Sequence, residues 1–435
     1  MSKKKSVTWL MVFLLTVVLF AGSVSAIRKT REEQQKDRIV LRFAVTSKTY
    51  VFDESNDRLK NFIDMVYAYA DKSSYPTVDM FVVNGNVTGD GSENAFEAVD
   101  KITASLLRED SSFYMAMGEM DFMVGEDTGV DDPAIREKIV DSCVYVKGYP
   151  FLFVSPVYVT YEPKYQWIEE QLEKATKYSD KPVFVFQHGS LMNTFYGSET
   201  WYTVESAPIF EILEKYPQVV DFSSSTATAA NTVRSVFQKN ATYANTGVMT
   251  QMRMNYQEFG HDTSAEVINE QSLVVSQCKI VEVYGDGRVD ILTMDLNTGE
   301  IYRKPDSEEW MRHSFYPGKT ESYPYTITGK SKDAPAFDEE AVISFKEEEG
   351  KVILSFPNAK DSDGLLFYEI IVSDKNGNEV QRISTYADFA LYDIPKEKSY
   401  ILENLSPNTQ YHVEIVPFDI FGTMGEGIFL DFSTN

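Results

Sequence analysis

From residue 38 onward, apolar and β-branched runs alternate with segments whose apolar positions recur every three or four residues. This alternation limits the fold more than any other feature of the chain. "IVLRFAVT" (39–46) reads as a buried strand, and Leu59, Phe62, Ile63 and Val66 follow at helical spacing. "VDMFVVNG" (78–85) is the next strand. "SENAFEAVDKITASLL" then opens a helix, with Ser92 as N-cap and Phe96, Val99, Ile102 and Leu106 on one face. "SFYMAMG", "CVYVKGYPFLFVS", a helix in "YQWIEEQLEKATKY", "KPVFVFQH", a helix around "IFEILEKY", and "QVVDFSS" continue the series. Such repetition predicts an α/β domain with helices packed on its sheets. "SLVVSQCKIVEVYGDGRVDILTM" predicts a hairpin turning at Gly285-Asp286-Gly287.

Residues 302–337 mix Pro, Gly and Ser without periodicity, so 301–338 reads as a linker packing on the first domain. Beyond it, "KVILSFPNA", "LFYEIIVSD", "YHVEIVPFD" and "GIFLDFST" are short, evenly spaced strands with no helical pattern. They predict an all-β sandwich over 339–435. "LENLSPNTQYHVEIVPFDIFG" resembles the end of a fibronectin type III domain, with Tyr411 as its corner tyrosine, and the resemblance implies a spacer or docking module.

Charge and the N-terminus narrow the function classes. Lys and Arg total 41 against 66 Asp and Glu, a net charge of −25. That balance repels phosphate backbones and anionic lipid surfaces, so no nucleic-acid partner is expected. Lys3, Lys4 and Lys5 precede an apolar run from Trp9 to Ala21, and Val24-Ser25-Ala26 suits cleavage, so residues 1–26 read as an export signal. The protein is expected to be secreted or at the cell surface, without membrane insertion after cleavage; an uncleaved N-terminal anchor is the alternative. Cys143 and Cys278 each lie in a strand-like run and read as buried thiols, a single disulfide being the other arrangement.

Five predicted strand ends carry polar groups toward one crevice: "AVTSKTY", "VVNGNVTGDGS", "AMGEMD", "VFQHGS" and "DFSSSTA". In order and spacing they resemble the calcineurin-like metallophosphoesterases, over about residues 38–300. That resemblance implies a four-layer α/β/β/α sandwich and a two-metal site. Gly85, Gly118, Asp121 and His188 stand where the family pattern has them. The other positions differ: Lys48 at the first aspartate, Tyr50 at its histidine, Asn86 at the metal-bridging aspartate, Glu119 and Met120 at the Asn-His pair, and Ser225 and Ala227 at the last two histidines.

A two-metal phosphoesterase uses a cation pair to activate water and stabilise the in-line displacement. Without the bridging carboxylate that pair is under-compensated, and an ammonium at Lys48 is donor-only and cannot coordinate metal. No resident cofactor is expected, save one weakly bound divalent ion at His188, Glu119 and Asn86. Met120 also removes the general acid that the resemblance implies. Two readings follow: a pseudoenzyme binding an unknown ligand or protein partner, or a divergent hydrolase with one weak metal around His188. In the first, the Lys48 ammonium fills the first metal's position, balanced by Glu119 or Asp121, and the pocket takes an anion or a sugar.

Other features read as bland. His261 is expected at the surface, and His313 and His412 carry no assigned role. "NVT" at Asn86 and "NAT" at Asn240 match glycosylation acceptors by chance. A Ser-His-Asp triad would need Ser190, which lies too close along one loop to His188.

Overall fold

The computed structural model describes residues 36–124, 127–128, 141–155, 162–203, 206–253, 273–326 and 333–435. The export signal and His261 lie outside the described residues.

The first domain is built on two mixed sheets. In the first, β1 (Ile39–Thr46) runs parallel to β2 (Met80–Asn84), and β2 runs parallel to β3 (Ser112–Ala116). Helix α1 (Asp57–Asp71) connects β1 to β2, and α2 (Glu93–Leu106) connects β2 to β3. Asn56 Oδ1 caps α1 at Leu59 N, and Ser92 Oγ caps α2 at Ala95 N, as the sequence predicts for Ser92. After β3 comes a small pair, β4 (Met123–Val124) with β5 (Asp127–Thr128).

The second sheet contains β6 (Ser142–Val146) and β7 (Tyr149–Val154), then α3 (Glu162–Thr176), β8 (Val183–Gln187), α4 (Ser206–Leu213), β9 (Val219–Ser223), β10 (Val236–Gln238) and β11 (Thr242–Asn245). Its strand order is β10-β11-β9-β8-β7-β6. The run read as one strand, "CVYVKGYPFLFVS", is a hairpin. Lys147 and Gly148 both take positive φ, 49° and 76°, which turns the chain in two residues.

The chain then returns to the first sheet as β12 (Gln277–Tyr284) and β13 (Val289–Asp295), joined by the predicted hairpin. β14 (Glu300–Ile301) and β15 (Arg312–Phe315) both pair with β13, so a small part of the segment read as a linker adds strands to this sheet. The sheet order is β14-β13-β12-β1-β2-β3, with β15 alongside β13.

Strand periodicity divides the core. Leu41, Phe43 and Val45 of β1 face the second sheet, where Phe43 meets Phe151, Phe184, Phe186 and Phe222 edge-on at centroid distances of 4.8 to 5.9 Å. Each such contact is worth about 0.5–1.5 kcal/mol beyond burial. Ala44, Phe81, Val83 and Ile280 face the other way and pack on Leu59, Phe62 and Val66 of α1 and Val99 and Ile102 of α2. Ile168 and Leu172 of α3 and Ile209 and Leu213 of α4 cover Val183, Val185 and Val219 of the second sheet.

The C-terminal part is all-β. One sheet holds β16 (Ser344–Glu348), β17 (Lys351–Pro357) and β20 (Glu397–Leu402); the other holds β18 (Leu365–Asp374), β19 (Glu379–Tyr386), β21 (Gln410–Asp419) and β22 (Ile428–Ser433). Leu354, Phe356, Tyr368, Ile370, Val413 and Phe432 fill the space between them. Tyr411 forms the expected corner, its hydroxyl accepting from Ser406 N at 2.9 Å.

The two parts share an apolar core. Tyr196, Ala229, Val248 and Met252 pack with Leu366, Phe367, Val416 and Phe418. Asn231 Nδ2 donates to Phe389 O, Arg234 to Ile420 O and the Tyr302 hydroxyl to Ala390 O, at 2.7, 3.0 and 3.0 Å.

Cys143 and Cys278 are free thiols on different sheets. Among the described residues, no helix is long and apolar enough to cross a membrane.

Candidate functional site

Parallel strands deliver the chain's polar groups to one end of the paired sheets. β1 leads into Lys48, β2 into Asn86, β3 into Glu119, β8 into His188 and β9 into Ser224 and Ser225. Backbone bonds lace these loops together: Gly85 N donates to Ala116 O, Lys48 N to Gly85 O and Tyr50 N to Asn86 O. Asn84 clamps the two sheets, its Nδ2 donating to Gln187 O at 3.0 Å and Phe222 O at 2.8 Å.

The glycines are sterically required. A Cβ on Gly85 would lie 1.9 Å from His188 Nδ1, and one on Gly118 would lie 2.3 Å from Asn86 Oδ1. The loops are also strained. Lys48, Tyr50, Asn86 and Ala227 all hold left-handed backbone, with φ of 58°, 46°, 53° and 52°. Each costs about 1–3 kcal/mol, least at Asn86, and such residues gather where a site fixes its loops.

Five of the nine candidate residues converge. The Lys48 side chain is buried, and its ammonium lies 3.4 Å from the Tyr50 hydroxyl. That hydroxyl hydrogen-bonds the Asn86 side chain, and burial raises its pKa, opposed by the Asn86 bond and by the Arg253 charge. Asn86 Oδ1 also accepts from Met120 N at 3.1 Å, and its amide bonds Glu119. The Glu119 carboxylate stands 3.2 Å from His188 Nε2. The hydrogen bond from His188, then the charges of His188 and Lys48, hold Glu119 down to about 2.

His188 is fixed from behind. Its Nδ1 lies 2.8 Å from Ser224 Oγ, and Ser224 in turn donates to Asn84 O. Ser224 therefore accepts at Nδ1, which turns Nε2 toward Glu119. Ser224 is buried and its hydroxyl is held in this relay, so it is no nucleophile.

The remaining positions lie elsewhere. Asp121 does not balance Lys48. Fully buried, it accepts from Gly118 N, Val87 N, Thr88 N and Thr88 Oγ1, so it staples two loops together. Burial raises its pKa, against the pull of those donors. Ser225 Oγ faces Ser190, accepting from its amide at 2.9 Å and donating to its hydroxyl at 3.0 Å. Ala227 belongs to the apolar core shared with the β-sandwich, where an imidazole would displace packed side chains. Met120 contributes its amide. Asn86 is buried, so its sequon is closed in the folded chain, and Asn240 Nδ2 donates to Glu214 O. His313 is buried, and His412 pairs with Asp431 at the surface.

Two-metal chemistry does not fit this set. The positions that the calcineurin-like resemblance would give the first metal hold an ammonium, a phenol, a carboxamide and a methyl group, and no step through a cation pair follows from them. Among the described residues, no group of three or more His, Cys, Asp or Glu side chains is placed to hold a metal. Ser224 and Arg253 are the members that sequence reading missed. Ser224 adjoins the candidate Ser225, but nothing in its type marks it, and Arg253 arrives from beyond β11.

No family model matches the chain, and no curated protein matches it. Among solved structures it is similar to a purple acid phosphatase from yellow lupin (Lupinus luteus) seeds. The likeness has 9% identity, covers 60% of this chain and 52% of that one, and has a TM-score of 0.39. It is also similar to an FN3 domain of human collagen XX, at 19% identity over 23% of this chain and 99% of that one, TM-score 0.17. The FN1–FN3 domains of chicken CNTN1 match at 15% identity over 37% of this chain and 44% of that one, TM-score 0.18. Likenesses this distant bear on neither activity nor ligand.

Proposed function

We propose that this is an exported protein with the four-layer metallophosphoesterase arrangement that binds an anionic ligand at the Lys48 site and does not run two-metal hydrolysis. The carrying observation is the Lys48 ammonium, buried beside the Tyr50 hydroxyl, where the calcineurin-like resemblance would put a metal ligand. A fixed cation there supplies charge for an anion, while Tyr50 and Asn86 supply donors and Arg253 adds a second positive charge nearby. Burial strengthens each of these interactions. Nothing in the set activates water: the Glu119 carboxylate is held by His188, and no general acid faces a leaving group. The β-sandwich then acts as a fixed flank to the pocket.

One observation favours a second reading. His188 Nε2, Glu119 and the Asn86 amide lie together, and a single divalent ion inserted there would take two or three protein ligands.

The test is metal content by mass spectrometry on protein purified without chelator, phosphate binding by calorimetry, and hydrolysis of aryl phosphate mono- and diesters with added manganese. Phosphate binding without metal or turnover is the expected result. Near-stoichiometric metal with turnover that vanishes in His188→Ala would establish the hydrolase instead.

A further inference from the structure

A cleft of about 640 Å³ opens between the two domains, and none of the residues gathered at Lys48 lines it. That volume suits a small organic molecule, and the joint between two domains is a common place for such a pocket. Two buried polar side chains on its walls, one from each domain, carry an oxygen without a hydrogen-bond partner among the described residues. Thr232, from the α/β domain, is 3% exposed, and its Oγ1 is unpaired. Asp361, from the β-sandwich, is 6% exposed, and its Oδ2 is unpaired. The other Asp361 oxygen is fixed: Oδ1 accepts from the amides of Asp363 and Gly364 at 2.8 and 3.0 Å. Buried polar oxygens are nearly always satisfied, so this pair calls for partners from outside the chain.

The charges around the cleft decide what kind of partner fits. Three basic side chains lining it already hold carboxylates: Arg303 holds Glu308, Lys304 holds Glu309 and Lys360 holds Asp338. Asp388 is held by Lys398. The remaining carboxylates other than Asp361, those of Asp306, Asp363 and Asp393, are at least partly open to water, and so is Lys396 on the same wall. A metal ion would therefore find a single free buried carboxylate oxygen, with a lysine ammonium lining the same cleft. A free anion would meet the Asp361 charge. A neutral molecule rich in hydroxyls suits both oxygens, because each hydroxyl can donate to the acceptor-only carboxylate and can exchange hydrogen bonds with a threonine.

The walls also carry apolar surface for such a molecule. Phe389, Leu391 and Tyr392 are half-buried and follow one another along one loop of the β-sandwich. Tyr302 braces Tyr392 edge-on, with ring centroids 5.7 Å apart, and is itself fixed by its bond to Ala390 O. The electron-rich face of an aromatic ring attracts the weakly positive C–H side of a sugar ring. We propose that the cleft binds a neutral saccharide, with one hydroxyl donating to Asp361 Oδ2, another bonded to Thr232 Oγ1, and the sugar ring packed on the Phe389–Tyr392 wall. The two oxygens belong to different domains, so the sugar lies across the joint between them.

The test is isothermal calorimetry on the full chain with glucose, galactose, N-acetylglucosamine, cellobiose, lactose and chitobiose as probes. One saturable site for at least one of these sugars is the expected result. Asp361→Asn keeps the Oδ1 acceptor that orders its turn but turns a donor amide toward the sugar, and is expected to weaken binding at least about tenfold. Thr232→Val keeps the side-chain shape without the hydroxyl and is expected to weaken it about two- to tenfold. Tyr392→Ala alters a half-buried position, so it reports on the site should either buried variant fold poorly; it is expected to weaken binding at least about fivefold. Thermal melting checks the fold of each variant. Binding of none of the six sugars overturns the proposal and leaves water as the partner of both oxygens. Binding that is unchanged in the normally folded variants overturns it as well, by placing the sugar elsewhere on the chain.

Discussion

Replacing Lys48 with methionine isolates the ammonium on which the proposed ligand site depends. Methionine has a similar length and keeps a Cβ, so the strain of φ 58° is the same in both proteins and cancels. One ammonium 4 Å from one ligand charge gains about 4 kcal/mol at an effective dielectric near 20. The ligand's lost hydration offsets part of this, leaving the about 1.5–3 kcal/mol typical of a hydrogen bond to a charged group. That corresponds to roughly 10- to 150-fold in affinity. Folding stability should barely change, because the variant loses a buried cation whose neighbouring carboxylate, Glu119, is more than half exposed. The assay is calorimetric titration of wild type and variant with inorganic phosphate, with urea denaturation as the control for fold. A phosphate affinity that stays within about twofold in a normally folded Lys48→Met protein would refute the role of the ammonium. Wild-type protein that binds no phosphate would remove the anion-site reading altogether.

Three further outcomes are expected. Gly85→Ala would place a Cβ 1.9 Å from His188 Nδ1 at a φ of 89°, and should lower stability by about 2–5 kcal/mol in urea titration; a near-neutral change would show that His188 moves aside freely. Burial pushes the Asp221 carboxyl up to about 8, so between its unfolded value and pH 8 the folded chain holds one extra proton and loses stability as pH rises. Asp221→Asn removes this dependence, and its stability relative to wild type should climb by about 1.4 kcal/mol per pH unit from about pH 5 to 8. A pH-independent difference between the two would contradict that assignment. Tyr411→Phe leaves Ser406 N without its acceptor and should destabilise the β-sandwich by about 1 kcal/mol, read by thermal melting.

The sequence disclosed much of the fold because its signals are local. β1, β2, β8 and β9 are buried on both faces, so they read as continuous apolar runs, and α1 and α2 show their apolar stripes beside recognisable caps. Where the reading differed, the deciding interaction was short or distant. The turn at Lys147-Gly148 is two residues long inside an unbroken apolar stretch, and β14 and β15 exist because β13 offers them an edge. At the site, residue order located Lys48, Asn86, Glu119 and His188. It did not reveal that Asp121 turns inward to a ring of amides, or that Ala227 lies against the other domain. Those outcomes depend on side-chain direction and on contacts across long stretches of chain, which no spacing rule carries.

The apolar core between the domains makes the β-sandwich unlike a bead on a string. Cutting the chain near residue 338 would leave Tyr196, Val248 and Met252 facing water, along with an Arg234 guanidinium that now caps Ile420 O. A truncated α/β fragment should therefore aggregate, and the intact chain should melt in one step. Whatever the outer surface of the sandwich touches, the Lys48 pocket is held at a set angle and distance from that contact. The two halves behave as a bracket rather than a tether, and longer or shorter spacing sequences cannot retune their geometry.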